Sequence, residues 1–143
     1  MAKPVLTGLA LSLSALALVG CSRDGGEQVH TRVASPDGTR EAVLMTCSMS
    51  GDAKVLLVTG AVFETKGQKC ADVADKALAS VWVSSPEAGE GPQAQVTWDG
   101  DQAVFSFEGD RTVISREAKA GGRLDLIAVK GDFAEADIVD SAE

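Results

Sequence analysis

The sequence contains no tyrosine, a single histidine, and only four phenylalanines and two tryptophans among its 143 residues. One imidazole, His30, is thin material for hydrolytic chemistry, because a Ser or Cys nucleophile needs a base within hydrogen-bond reach. With so few aromatic side chains, those present are needed to fill a core. Trp82 and Trp98 are therefore expected to be largely buried rather than to form a stacking platform for sugar or peptide. Cationic residues are also scarce: 13 Lys and Arg face 21 Asp and Glu, a formal net charge of −8, and the basic residues do not cluster. That balance excludes a phosphate-neutralising nucleic-acid surface and a polybasic membrane patch. No Gly-rich phosphate loop, metalloprotease helix, nucleophile elbow, Cys-x-x-Cys pair or internal repeat is present. Nor is there an apolar run long enough to span a bilayer. The longest, Val5 to Val19, is interrupted by Thr7, Gly8, Ser12 and Ser14. As a helix it would reach about 22 Å, short of the roughly 30 Å hydrocarbon core.

What is present begins with an address. Lys3 supplies a positive n-region, the stretch to Val19 an h-region, and the segment ends Leu18-Val19-Gly20-Cys21. This order is that of an export signal rather than of part of a fold. The last four residues resemble the lipobox of bacterial lipoproteins: an aliphatic residue, a small or branched one, Gly or Ala, then Cys. The resemblance implies diacylglyceryl transfer to the Cys21 thiol, cleavage before Cys21, and acylation of the new amine. Two or three acyl chains exceed the single chain that binds only marginally, so the anchor would be stable. Ser22 stands where an Asp would resemble the inner-membrane retention signal of Gram-negative lipoproteins, which implies the outer membrane if the host is Gram-negative. Loss of residues 1–20 removes Lys3, leaving 12 basic against 21 acidic side chains, a net charge of −9. Such a charge favours cationic partners.

The organisation expected after the signal is a lipidated Cys and flexible tether at 21–27, one β-rich domain at 28–133, and an acidic tail at 134–143. The tether, Ser22-Arg23-Asp24-Gly25-Gly26-Glu27, reaches at most about 25 Å. The domain reads as a small antiparallel β-sandwich or barrel of seven or eight short strands, with one short helix near 71–79. Gln28–Ser35 and Arg40–Cys47 flank a Pro36-Asp37-Gly38 turn. Lys54–Thr59 and Ala61–Thr65 read as two strands separated by Gly60, and Val81–Val83 as another. Ser84–Pro92 reads as a loop. In Ala94–Phe107 a two-residue turn at Gly100-Asp101 would oppose Trp98 to Ala103, Val96 to Phe105 and Ala94 to Phe107, bringing the apolar sets together. Arg111–Arg116 and Arg123–Lys130 read as a last strand pair around Gly121-Gly122.

Assigning Cys21 to lipid leaves Cys47 and Cys70 as an even remainder outside the cytosol, which favours a disulfide. Closing that loop of about 24 residues stabilises by roughly 3 kcal/mol in the chain-entropy model. A thiolate metal site would want three or four soft ligands, and His30 is the only imidazole. His30 itself reads as an ordinary surface residue of the first strand. Asp99-Gly100-Asp101 reads as turn chemistry, since calcium needs six to eight oxygens.

Ser35-Pro36-Asp37-Gly38, followed by Glu41-Ala42-Val43-Leu44 and the later Val96-Thr97-Trp98, is similar to uncharacterised small β-rich bacterial lipoproteins. Lipid-anchored lysozyme inhibitors share the small-β, disulfide-bearing plan, although this chain lacks their Ser-Gly-rich loop with its basic and tyrosyl residues. The function expected is therefore non-enzymatic and cofactor-free: a membrane-anchored domain that binds or scaffolds another envelope component, with Phe63, Trp82 and Trp98 as candidate partner-binding residues. The alternatives are an inhibitor of a cationic envelope hydrolase such as lysozyme, and a small-ligand sensor.

Overall fold

The computed structural model describes residues 27–48, 55–86, 91–119, 121–133 and 140–142. The segment expected to be an export signal, Cys21 and most of the expected tether lie outside them, as do residues 134–139 of the acidic stretch. The described residues form two sheets. The larger carries β1 (Gln28–Ala34), β2 (Glu41–Ser48), β3 (Leu56–Phe63), β4 (Ala79–Ser84), β7 (Val113–Ala118) and β9 (Asp140–Ala142), in that order across the sheet. The smaller carries β5 (Ala94–Asp99), β6 (Gln102–Arg111) and β8 (Ile127–Phe133). A single helix, α1 (Cys70–Lys76), and one 3-10 turn at Leu124–Leu126 complete the described elements. The protein is mainly β, as its turn spacing implies, and the sandwich alternative is the one adopted.

Strand alternation sorts the apolar side chains into two cores. Ala42 and Leu44 of β2, Val58 and Val62 of β3, and Val81 and Val83 of β4 face the smaller sheet. There they meet Val96, Ala103, Phe105, Phe107 and Ile127. The intervening residues Val43, Met45, Cys47, Ala61, Phe63 and Trp82 point to the opposite face of the larger sheet, where Val73 of α1 and Ala77 just after it join them. β2 and β3 therefore read as nearly continuous hydrophobic runs, because both of their faces are covered.

The β5–β6 hairpin has the register that its alternation implies: Trp98 opposes Ala103, Val96 opposes Phe105, and Ala94 opposes Phe107. Gly100 takes φ 57° at the first turn position, where a type II′ hairpin turn requires glycine. At the other hairpin the Asp37 carboxylate accepts hydrogen bonds from Ser35 Oγ (2.6 Å), Thr39 N (3.0 Å) and Thr39 Oγ1 (2.8 Å). Those donors, led by the Ser35 hydroxyl, hold its pKa down at about 2.

Four expectations change. Gly60 does not separate two strands: β3 runs unbroken from Leu56 to Phe63. A Cβ on Gly60 would lie 2.6 Å from Cδ1 of Phe105, so glycine is there to admit the ring from the facing sheet, not to turn the chain. The last two long strands are not partners. β7 joins β4 in the larger sheet, whereas β8 pairs in parallel with β6. β6 is the central strand of the smaller sheet, so its backbone N–H and C=O groups are paired on one side by β5 and on the other by β8, which follows the turn at Leu124–Leu126. A purely antiparallel arrangement thus gives way to a mixed one, since β9 also runs parallel to β7. Finally, Asp140–Ala142, placed by composition in a tail, is that ninth, three-residue strand; the other eight have six to ten residues each.

Two polar side chains hold the corners. Arg111, nearly fully buried, sits where the chain leaves one sheet for the other. Its guanidinium donates to the carbonyls of Glu108 (2.9 Å), Ser84 (2.8 Å) and Pro92 (2.8 Å). Glu41, also buried, accepts from Arg32 (3.0 Å) and from the Gly67 backbone N–H (3.1 Å).

Candidate functional site

The most differentiated region of the described surface is the outer face of the larger sheet, where α1 lies over strands and a disulfide fastens it. Cys47 projects from β2 and is fully buried. Cys70, the first residue of α1, is half-buried, and the two are bonded with their Cα atoms 5.5 Å apart. The helix starts there for local reasons. Asp72 accepts from the Lys69 backbone N–H at 2.9 Å, satisfying one of the donors a helix start leaves open. The same carboxylate pairs with Lys76 one turn on (3.2 Å), so its pKa is lowered, first by the Lys69 N–H and then by Lys76. The helix ends at Lys76, and β4 begins three residues later.

Phe63, fully buried, and Trp82, 8% exposed, share the outer-face core with Val73 of α1 and with Ala77. Ser115 of β7 is the cross-strand neighbour of Trp82. Both Trp82 Nε1 and Ser115 Oγ are buried without a hydrogen-bond partner. Such groups are few in native folds, and each calls for an explanation.

No protein-family model, curated protein or solved structure matches this chain. What the site can do therefore rests on its own chemistry.

An open depression of about 300 Å³ beside Cys70 is lined by Glu27, Gln28, Val29, Lys69 and Ala71. A larger, shallow cleft of about 830 Å³ lies toward the other end of α1, between Glu64, Asp75, Lys76 and Lys119. Its charges are of both signs, and it has no apolar interior of the kind that encloses a small ligand. His30 occupies an irregularity in the β1–β2 pairing, with Nε2 2.7 Å from Thr46 Oγ1. Partial burial lowers its pKa. It is thus more enclosed than the surface histidine expected from its neighbours. Among the described residues no third side chain orients the ring. No group of three or more His, Cys, Asp or Glu there could hold a metal ion.

The three residues expected to contact a partner do not form one exposed patch. Phe63 and Trp82 belong to the outer-face core, while Trp98 packs against the core between the sheets. The indole N–H of Trp98 reaches the carbonyl of Val33 on β1 at 2.9 Å, tying the edge strand of one sheet to the other sheet. Their burial follows from the scarcity of aromatics, which leaves none to spare for the surface. Cys21 lies outside the described residues. Arg111 and Ser115 were not legible as special residues, because their meaning comes from strand pairings made across the fold.

Proposed function

We propose that the protein is a lipid-anchored envelope lipoprotein whose β-sandwich acts without catalysis, binding or scaffolding another envelope component. The observation that carries this reading is the division of the three cysteines. Cys47 and Cys70 are joined to each other, which suits a chain that folds in an oxidising compartment. The one that remains, Cys21, closes the Leu18-Val19-Gly20-Cys21 sequence. On this reading the thiol outside the disulfide is the one that takes the lipid, and the short tether keeps the domain near the membrane surface.

A second reading, inhibition of a cationic hydrolase, draws support from charge placement. Asp99 and Asp101 stand exposed at the tip of the β5–β6 hairpin. Asp125, held at the same end by the bond from Gln102 Nε2 to its carbonyl (2.9 Å), is paired with Arg123 (3.2 Å), so the acidic character there rests on the two hairpin carboxylates. An acidic end of this kind would steer a basic enzyme toward it.

Detergent phase partition of the native protein and of Cys21→Ser, followed by crosslinking and capture from native membranes, tests both readings. Lipoprotein anchoring predicts that native protein enters the detergent phase and Cys21→Ser stays aqueous. Binding predicts one reproducible crosslinked envelope protein; a captured hydrolase whose activity falls on addition of the domain would favour the inhibitor. Equal partition of the two proteins would overturn the anchor, and absence of any reproducible crosslink would overturn the binding role.

A further inference from the structure

We propose that the Cys47–Cys70 disulfide is a redox-controlled fastener: reduction by a dithiol releases α1 from the outer face of the larger sheet and uncovers Trp82 while the sandwich stays folded. The asymmetry of the two sulfurs is the starting point. Cys47 is fully buried, whereas Cys70 is half-buried and lines an open depression of about 300 Å³, so an incoming thiolate reaches only the Cys70 side. Attack there forms a bond between the reductant sulfur and Cys70 Sγ and breaks the Cys47–Cys70 bond. Cys47 leaves as a thiolate and takes a proton. The second thiolate of the dithiol then attacks its own sulfur in the mixed disulfide, Cys70 leaves and is protonated, and the reductant departs as its disulfide. Two electrons and two protons have passed to the protein.

Little else holds α1 down. It has seven residues, well below the length at which an isolated helix is marginal in water, and Val73 is its single buried side chain, with Ala77 just beyond its end. The segment leading into it, residues 64–67, is exposed and is tied to the sheet by the Gly67 N–H bond to Glu41 (3.1 Å), ahead of the helix itself. The surface beneath is also not sealed as an ordinary core is. Trp82 Nε1, in the same outer-face core as Val73 and Ala77, is buried with no partner, and opening that core gives it water. Hydration of that group offsets part of the apolar exposure that opening entails. The sandwich core is separate, on the other face of the same sheet, and includes no residue of α1. It therefore survives the opening.

The experiment uses the full chain in detergent and dithiothreitol as the probe. Trp98→Phe leaves Trp82 as the sole indole, and Trp82→Phe leaves Trp98. Reduction under native conditions should yield two thiols, shift Trp82 emission to the red and raise its acrylamide quenching severalfold. Trp98 emission and the strand circular dichroism should stay as they were, and reoxidation should restore the starting state. The double variant Cys47→Ser/Cys70→Ser should show the open-state quenching of Trp82 without reductant. Failure of dithiothreitol to release thiols from the folded protein would overturn the fastener. So would full reduction with Trp82 unchanged, and so would Trp82 and Trp98 responding together, which marks global unfolding.

Discussion

Replacing Gly60 by alanine tests the packing of the sandwich at its tightest point. The added Cβ would stand 2.6 Å from Cδ1 and 2.8 Å from Cε1 and Cγ of Phe105, a ring that is fully buried in the inter-sheet core. Carbon atoms prefer about 3.5–4.0 Å, so ring and strand would have to separate by roughly 1 Å. A phenyl ring has no flexible end to swing away, and its neighbours Val58, Val62 and Ile127 are themselves buried. Overpacking of this kind costs about 1–3 kcal/mol. Against it, Gly→Ala narrows the unfolded ensemble and by itself would stabilise by about 0.4–1 kcal/mol. The expected net loss is about 1–2 kcal/mol, which lowers Tm by roughly 5–15 °C for a domain near 100 residues. Urea denaturation followed by circular dichroism should show a lower midpoint with an unchanged slope. In the double variant Gly60→Ala/Phe105→Leu, the smaller side chain should relieve the clash, giving a coupling of at least about 0.5 kcal/mol. Gly60→Ala at or above the native midpoint would refute the argument, since only the unfolded-state gain would then be operating.

Removing the fastener as Cys47→Ala/Cys70→Ala should cost about 3 kcal/mol, read from the urea midpoint of the folded chain. Trp98→Phe loses the donor to the Val33 carbonyl and should cost about 0.5–1.5 kcal/mol, with faster amide exchange along β1 as its local signature. Asp37 has a folded pKa near 2, below its unfolded value. Its contribution is therefore intact above about pH 4 and lost as pH falls toward 2. Asp37→Asn should be less stable at pH 6 and should lose less Tm than the native protein between pH 4 and 2. His30 has a folded pKa below its unfolded 6.5, so the unfolded state binds the proton more readily, and stability falls as pH drops through and below 6.5. His30→Gln should flatten the Tm profile in that range.

Local pattern carried the fold wherever partners are adjacent in the chain. The Ala94–Phe107 register followed from apolar alternation around Gly100-Asp101, because only one turn length places both apolar sets on the same face. The disulfide followed from counting the cysteines that remain once Cys21 is assigned to lipid. Gly60 misled because a glycine between apolar runs looks like a break, and the reason for it, the Phe105 ring, lies 45 positions away. β8 misled for a related reason: a parallel strand has no turn to announce its partner, so its pairing with β6 was invisible beside the nearer β7. The site was least legible of all. Phe63 and Trp82 stand out in the sequence as aromatics, but their burial in the outer-face core, and the unpaired atoms of Trp82 and Ser115, arise only when β3, β4, β7 and α1 come together.

In the proposed function one cysteine takes lipid and the other two take each other. Intact mass spectrometry of the protein extracted from its native membrane, before and after reduction, addresses it directly. The expected mass is that of residues 21–143 plus a diacylglyceryl group, with or without a further acyl chain. A gain of two hydrogens is expected on reduction. A mass for the whole unmodified chain, or no change on reduction, would contradict it.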